Sequence, residues 1–109
     1  MVMAVVKRFD VWLVDLNPTR EKEINKTRPC VVISPNEMSA LSTVLMAPMT
    51  TKGFEFPGRI KCKFKGKSGL ILLDQIRAID KSRLVKKLGS VAEKTQIELC
   101  SNLQEMFAL

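Results

Sequence analysis

Arg28, the pair Thr50-Thr51 and Asp74 are the side chains whose types suit work on a phosphate. They stand out against what is missing. Histidine and tyrosine are absent, so imidazole acid–base catalysis is excluded. Cys30, Cys62 and Cys100 are widely spaced, and without histidine they make no ordinary zinc site. No glycine-rich phosphate loop occurs. What remains is arginine, threonine or serine, carboxylates and lysine. That set suits one reaction well: cleavage of RNA by its own 2′-hydroxyl. There the substrate supplies the nucleophile, and the protein has only to position it and stabilise charge on the pentavalent phosphorus.

Each candidate has a plainer reading beside the chemical one. Arg28 precedes Pro29 and the apolar run Cys30-Val31-Val32; proline restricts the residue before it, and a guanidinium offers a bidentate phosphate contact. It could equally be a surface arginine at a strand start. Thr50 and Thr51 follow Pro48 at a strand end, where hydroxyls meet a phosphate or simply satisfy backbone groups. Asp74 lies in the most apolar run of the chain, Leu70 to Ile79, where an unpaired carboxylate costs several kcal/mol. It is a structural anchor or a site residue. In a continuous strand Asp74 and Arg77 face opposite ways.

The basic residues add a pattern of their own. Arg59, Lys61, Lys63, Lys65 and Lys67 alternate with Ile60, Cys62 and Phe64. A pleated strand would set these basic groups on one face about 6.6–6.8 Å apart, near the phosphate spacing of a single-stranded nucleic acid. Lysines also protect edge strands, but so long a row favours a groove that tracks a backbone.

The elements that must hold these groups are short strands. Runs are expected over 10–16, 30–33, 43–46, 59–64 and 70–79, with the last one central. Residues 17–28 read as a polar loop, and Met1 to Val6 as a strand entering the fold. Ser90 and Glu93 fit a capping box opening a C-terminal helix. Its apolar stripe of Ile97, Cys100, Leu103 and Phe107, joined by Leu99 and Met106, is expected to face the core. Regular short strands argue for a small barrel closed by that helix.

At 109 residues the whole chain, 1–109, is expected to be one domain. No apolar run approaches the ~18 residues that cross a bilayer. The opening apolar residues lack a preceding basic residue, so a secretory signal is not expected. Dispersed cysteines suit reduced thiols in the cytoplasm. Eighteen Lys and Arg against eleven Asp and Glu leave +7, a sign that suits a polyanion, with nucleic acid ahead of a membrane.

Taken together these segments resemble the MazF/PemK family of toxin endoribonucleases. The resemblance rests on Asp10-Val11-Trp12, on Leu16-Asn17-Pro18, on Arg28-Pro29 with Val31-Val32-Ile33, and on Pro48 with Thr50-Thr51. It is completed by a signature at Asp74, Gln75, Arg77, Asp80, Arg83 and Leu84. Phe9 departs from it, since the family usually has glycine before the opening aspartate.

The resemblance implies a mainly β, SH3-like barrel of the CcdB/MazF type with a C-terminal helix. It further implies a homodimer that cuts single-stranded RNA sequence-specifically without a metal or other cofactor. It places catalytic roles on Arg28 and Thr50, and the proton-accepting carboxylate on Glu23 or Asp74. RNA contacts are expected from Lys22, Lys26, Thr51, Arg59, Lys61, Lys63, Lys65, Gln75 and Arg77. An acidic antitoxin is the expected protein partner, with DNA reached only through the antitoxin complex and no membrane contact.

Two rival readings share the barrel. A gyrase poison of the CcdB kind uses a C-terminal end rich in Trp and Gly, whereas this chain ends Glu105-Met106-Phe107-Ala108-Leu109 and has its one Trp at position 12. A non-catalytic RNA-binding barrel would account for the basic strand but not for Arg28, Thr50 and the signature from Asp74 to Arg83.

Overall fold

The computed structural model describes residues 5–16 and 27–109. Seven strands form a curled antiparallel sheet followed by one helix: β1 (Asp10–Asp15), β2 (Thr27–Val32), β3 (Thr43–Thr50), β4 (Arg59–Phe64), β5 (Lys67–Leu72), β6 (Arg77–Asp80), β7 (Leu84–Ser90) and α1 (Glu93–Met106). The strand order is β4-β5-β3-β2-β1-β7, and β6 also pairs with β3.

The central strand is β3, not the 70–79 run. Its first half pairs with β6 from Thr43↔Asp80 to Met46↔Arg77. Its second half pairs with β5 at Met49↔Ile71 and Thr50↔Leu70, while β2 runs along its other edge. β3 also continues past Ala47-Pro48, where a stop was expected. Pro48 lies opposite Cys30 on β2, with the ladder ending at that pair. Proline lacks an N–H, so it suits a position where pairing stops.

The three strands β1 to β3 are buried on both faces, because alternate residues feed two separate cores. Val11, Val31 and Ala47 pack with Ile60, Ile71, Leu73 and Leu99 on one side. Trp12, Val14, Cys30, Val32 and Met46 pack with Val6 and Ile79 on the other. The hairpin β4–β5 and α1 cover the first core; β6 and Val6 cover the second.

Several local expectations are corrected. The 70–79 run is two strands separated by a short 3-10 helix at Leu73–Gln75, so the argument that Asp74 and Arg77 face opposite ways does not apply. Arg28 lies inside β2 rather than in the preceding loop. Val5 to Lys7 form no strand; the rest of the expected opening strand, and the loop at 17–26, fall outside the described residues. Ser90 ends β7, and Ala92 occupies the N-cap of α1 without a side-chain hydrogen bond. The helix buries Leu99, with Leu103 packed against the same core. Ile97 and Phe107, expected in the core, are 66% and 74% exposed.

Phe9 adopts φ 75, a left-handed conformation that glycine takes without steric cost. Its amide donates to Val32 O and its carbonyl accepts from Val91 N, which ties the entry of β1 to β2 and to the residue after β7.

Candidate phosphate-binding active site

The site begins where β2 and β3 part. Antiparallel pairing brings Cys30 opposite Pro48 and then stops. The next positions on each strand, Pro29-Arg28 and Met49-Thr50, open into a cavity of about 370 Å³. Arg28, Thr50 and Thr51 line it together with Lys52, Lys67 and Phe64. Arg28 also borders a second cavity of about 540 Å³, shared with Gln75, Arg77 and Pro48. Arg28 therefore borders both recesses. Among the described residues neither recess has an acidic lining group, so their field favours an anion.

Thr50 is held in a useful orientation. Its hydroxyl oxygen accepts from the Lys52 amide at 3.0 Å, which leaves the hydroxyl proton available to donate outward. Gly69 on β5 permits this packing, because a Cβ there would run into the Thr50 carbonyl oxygen. The glycine is thus a close-approach position.

Cys30 lies beneath Arg28, its thiol donating weakly to the Arg28 carbonyl at 3.7 Å. Burial pushes this thiol up to about 12, against a smaller opposing effect of the Arg28 and Arg77 charges. It is an inert packing group. Burial likewise raises the Cys62 thiol, which lines the first cavity.

Asp74 is engaged elsewhere. Arg59 donates to both its carboxylate oxygens at 3.2 Å, and the hydrogen bond from Arg59 is the main cause holding the Asp74 carboxyl below the usual carboxylate range. The same guanidinium lies over the Phe54 ring at 4.9 Å. Asp74 lines neither cavity bordered by Arg28.

The basic row is also rearranged. Lys65 and Gly66 form a two-residue turn with φ 50 and 80, the left-handed pair of a tight hairpin. The chain reverses there, and Lys67 comes to lie opposite Phe64. Arg59 turns to Asp74, Lys61 pairs with Glu55 at 2.9 Å, and Lys65 lies over the Phe64 ring at 6.0 Å. Arg59 and Lys61 border a third recess with Glu55 and Glu98. Arg59, Lys61 and Lys63 keep one face of β4, but the five-residue row is not formed, because Lys65 and Lys67 leave it at the turn.

Of the expected site residues, the structure gathers Arg28, Thr50, Thr51, Gln75 and Arg77 around the two cavities, and separates Arg59, Lys61 and Asp74 from them. Glu23, Lys22 and Lys26 lie outside the described residues. Lys52 and Lys67 were missed as lining groups. A turn over Lys65 to Gly69 is legible in the sequence, but only its narrowing to Lys65-Gly66 sets Lys67 against Phe64.

A family model described as the PemK-like, MazF-like toxin of type II toxin–antitoxin systems matches residues 7–107. The chain belongs to this family. Among curated PemK/MazF-like relatives, the endoribonuclease MazF of Staphylococcus epidermidis is 34% identical over 102 residues, covering 87% of this chain and 85% of the relative. That of Staphylococcus saprophyticus is 35% identical over 102 residues, with the same 87% and 85% covered. The fold agrees with solved PemK/MazF structures. A MazE–MazF structure from Deinococcus radiodurans superposes with TM-score 0.80 at 21% identity, covering 95% of this chain and 96% of that one. An endoribonuclease in complex with its cognate antitoxin from a mycobacterial species gives TM-score 0.78 at 20% identity and 92% coverage of both.

Among the described residues no group of His, Cys, Asp and Glu is placed to hold a metal ion, and no helix is long and apolar enough to cross a membrane.

Proposed function

We propose that this toxin is a metal-independent endoribonuclease that cuts single-stranded RNA at preferred sequences, with Arg28 and Thr50 at the scissile phosphate. The observation that carries the reading is the cavity at the parting of β2 and β3, where a guanidinium and an oriented hydroxyl converge in a recess whose described lining has no carboxylate. The substrate 2′-oxygen attacks phosphorus, the bond from phosphorus to the 5′-oxygen breaks as that oxygen takes a proton from water, and a 2′,3′-cyclic phosphate and a 5′-hydroxyl result. Arg28 stabilises the charge that builds on the phosphorane oxygens. Thr50 donates its free hydroxyl proton to the phosphate. A carboxylate takes the 2′-hydroxyl proton. Asp74 is committed to Arg59, which supports Glu23 for that step. Gln75 and Arg77, in the adjoining cavity, contact the neighbouring nucleotide, while Lys63 and Lys65 attract the backbone from outside.

In this reading the toxin acts in the cytoplasm as a homodimer, restrained by a cognate acidic antitoxin. The antitoxin reaches DNA on behalf of the complex. Curated relatives named endoribonuclease and solved complexes with an antitoxin support it.

Incubating the protein with RNA in excess EDTA, beside gyrase with plasmid DNA, tests the reading. The expected outcome is cut RNA with 5′-hydroxyl ends, untouched by EDTA, and unaffected gyrase. Cleavage abolished by EDTA and restored by Mg²⁺ would overturn the mechanism. Gyrase inhibition without RNA cleavage would overturn the function.

A further inference from the structure

We propose that Lys67 and Lys52 complete the Arg28–Thr50 site as phosphate-holding residues, so that three cations rather than one seat the RNA backbone over β3. This rests on reading that site as an RNA site.

Topology places the groups. Arg28 comes from β2 and Lys67 from β5, the two strands that flank the second half of β3. Thr50 lies at the end of β3 between them, and Lys52 follows two residues on. The turn at Lys65-Gly66 removes Lys67 from the outward basic row and sets it opposite Phe64, on the border of the Arg28 cavity. Gly69, two residues further along β5, lets that strand lie against the Thr50 backbone. Residues two apart on a strand share a face, so the close approach at Gly69 carries Lys67 toward the same cavity.

Charge pairing sorts the basic residues by task. Arg59, Lys61 and Lys87 are neutralised by Asp74, Glu55 and Asp10. Among the described residues Arg28, Lys52 and Lys67 make no ion pair. Cations that line one cavity repel each other, and an anion bound between them relieves that repulsion. A phosphodiester has two non-bridging oxygens, enough for a bidentate arginine on one side and a lysine on the other. An adjacent phosphate of the same strand is the natural partner for the remaining lysine.

The test uses the full chain and a single-stranded RNA methylated at every 2′-oxygen, which binds but cannot be cut through a 2′-hydroxyl. Binding is followed by fluorescence anisotropy across a salt series. Lys67→Gln and Lys52→Gln should each weaken binding and lower the log–log salt slope by about 0.7, and the double variant by about twice that. Lys67→Arg should keep the slope. Lys94→Gln, exposed on the first turn of α1, should leave binding unchanged. If Lys67→Gln and Lys52→Gln bind with the unmodified slope, or if Lys94→Gln lowers the slope as much as they do, the seat is wrong. Cleavage of unmethylated RNA is scored separately. Normal cutting with unmoved slopes overturns the seat alone, and lowered slopes in a protein that cuts no RNA overturn the ribonuclease reading alone.

Discussion

Arg59 and Asp74 form a two-pronged ion pair, Nε to Oδ1 and a terminal nitrogen to Oδ2, each at 3.2 Å. The pair clips the end of β5 to the start of β4, because Arg59 opens one strand and Asp74 follows the other. Its pH dependence has a definite sign. The hydrogen bond from Arg59 holds the Asp74 carboxyl below its ordinary 3.8, so its contribution is present above that value and fades as pH falls through the lowered one. Asp74→Asn should therefore flatten the acid limb of the stability curve below about pH 4. Urea unfolding at pH 3 and at pH 7, for both proteins, measures it. An unchanged acid limb would show that the pair contributes nothing at this exposed position.

Arg28→Ala should lower the cleavage rate by about 10²–10³-fold, the loss typical of one preorganised oxyanion donor, or about 3–4 kcal/mol. Thr50→Ala should cost less, since it removes a single neutral hydrogen bond. Glu23→Gln should slow cutting more than Asp74→Asn if Glu23 takes the 2′-hydroxyl proton. Single-turnover rates with circular dichroism as a folding check decide these. A near-normal rate in folded Arg28→Ala would remove the site assignment.

The Cys30 thiol is buried and held protonated up to about 12. An unfolded cysteine titrates near 9.0, so the folded state keeps a proton that the unfolded state loses. Stability should accordingly decline as pH rises from 9 toward 12. Cys30→Ser or Cys30→Ala should shift this alkaline limb. At neutral pH the native thiol should resist iodoacetamide until the protein is unfolded, and mass spectrometry of the alkylated peptide reads this directly. Rapid native labelling would contradict the burial.

Gly69→Ala puts a methyl group against the Thr50 carbonyl. Backbone cannot swing aside as a side chain can, so β5 must shift from β3 at a cost of about 1–3 kcal/mol. Cleavage should fall with it, because Thr50 loses its setting. Chemical denaturation and kinetics on one preparation test the pair of effects. An unchanged Gly69→Ala protein would contradict the close approach of Gly69 to the Thr50 carbonyl.

The limits of β4 were legible because Arg59 to Phe64 alternates cleanly and ends in a turn. Arg28 and Thr50 were legible as residue types beside prolines at strand edges. Residues 73–75 were not. Their neighbours are as apolar as those of a continuous strand, and only tertiary packing decides that Leu73 goes into the core while Asp74 turns to Arg59. β7 was missed for a different reason. Its partner ladder slips between Val11 and Trp12 and again between Leu13 and Val14, and such bulges erase a strict period of two. The helix misled because Ile97 and Phe107 have the right spacing but stand outside, while Leu99 alone is sealed. The fate of Lys67 depended on counting through one tight turn.

The attachment of the hairpin β4–β5 implies a gradient of local stability across the molecule. Among the described residues, only Met49↔Ile71 and Thr50↔Leu70 join it to the rest of the sheet, while β1, β2 and β3 are laced together and covered on both faces. Native-state hydrogen exchange should divide along this seam, the hairpin opening as a sub-global unit at lower free energy than the three-strand centre. Arg28 and Thr50 belong to the slow side, and Lys67 to the fast one. The cleft could then admit or release a bound strand by loosening one lip while the groups on the other stay in register.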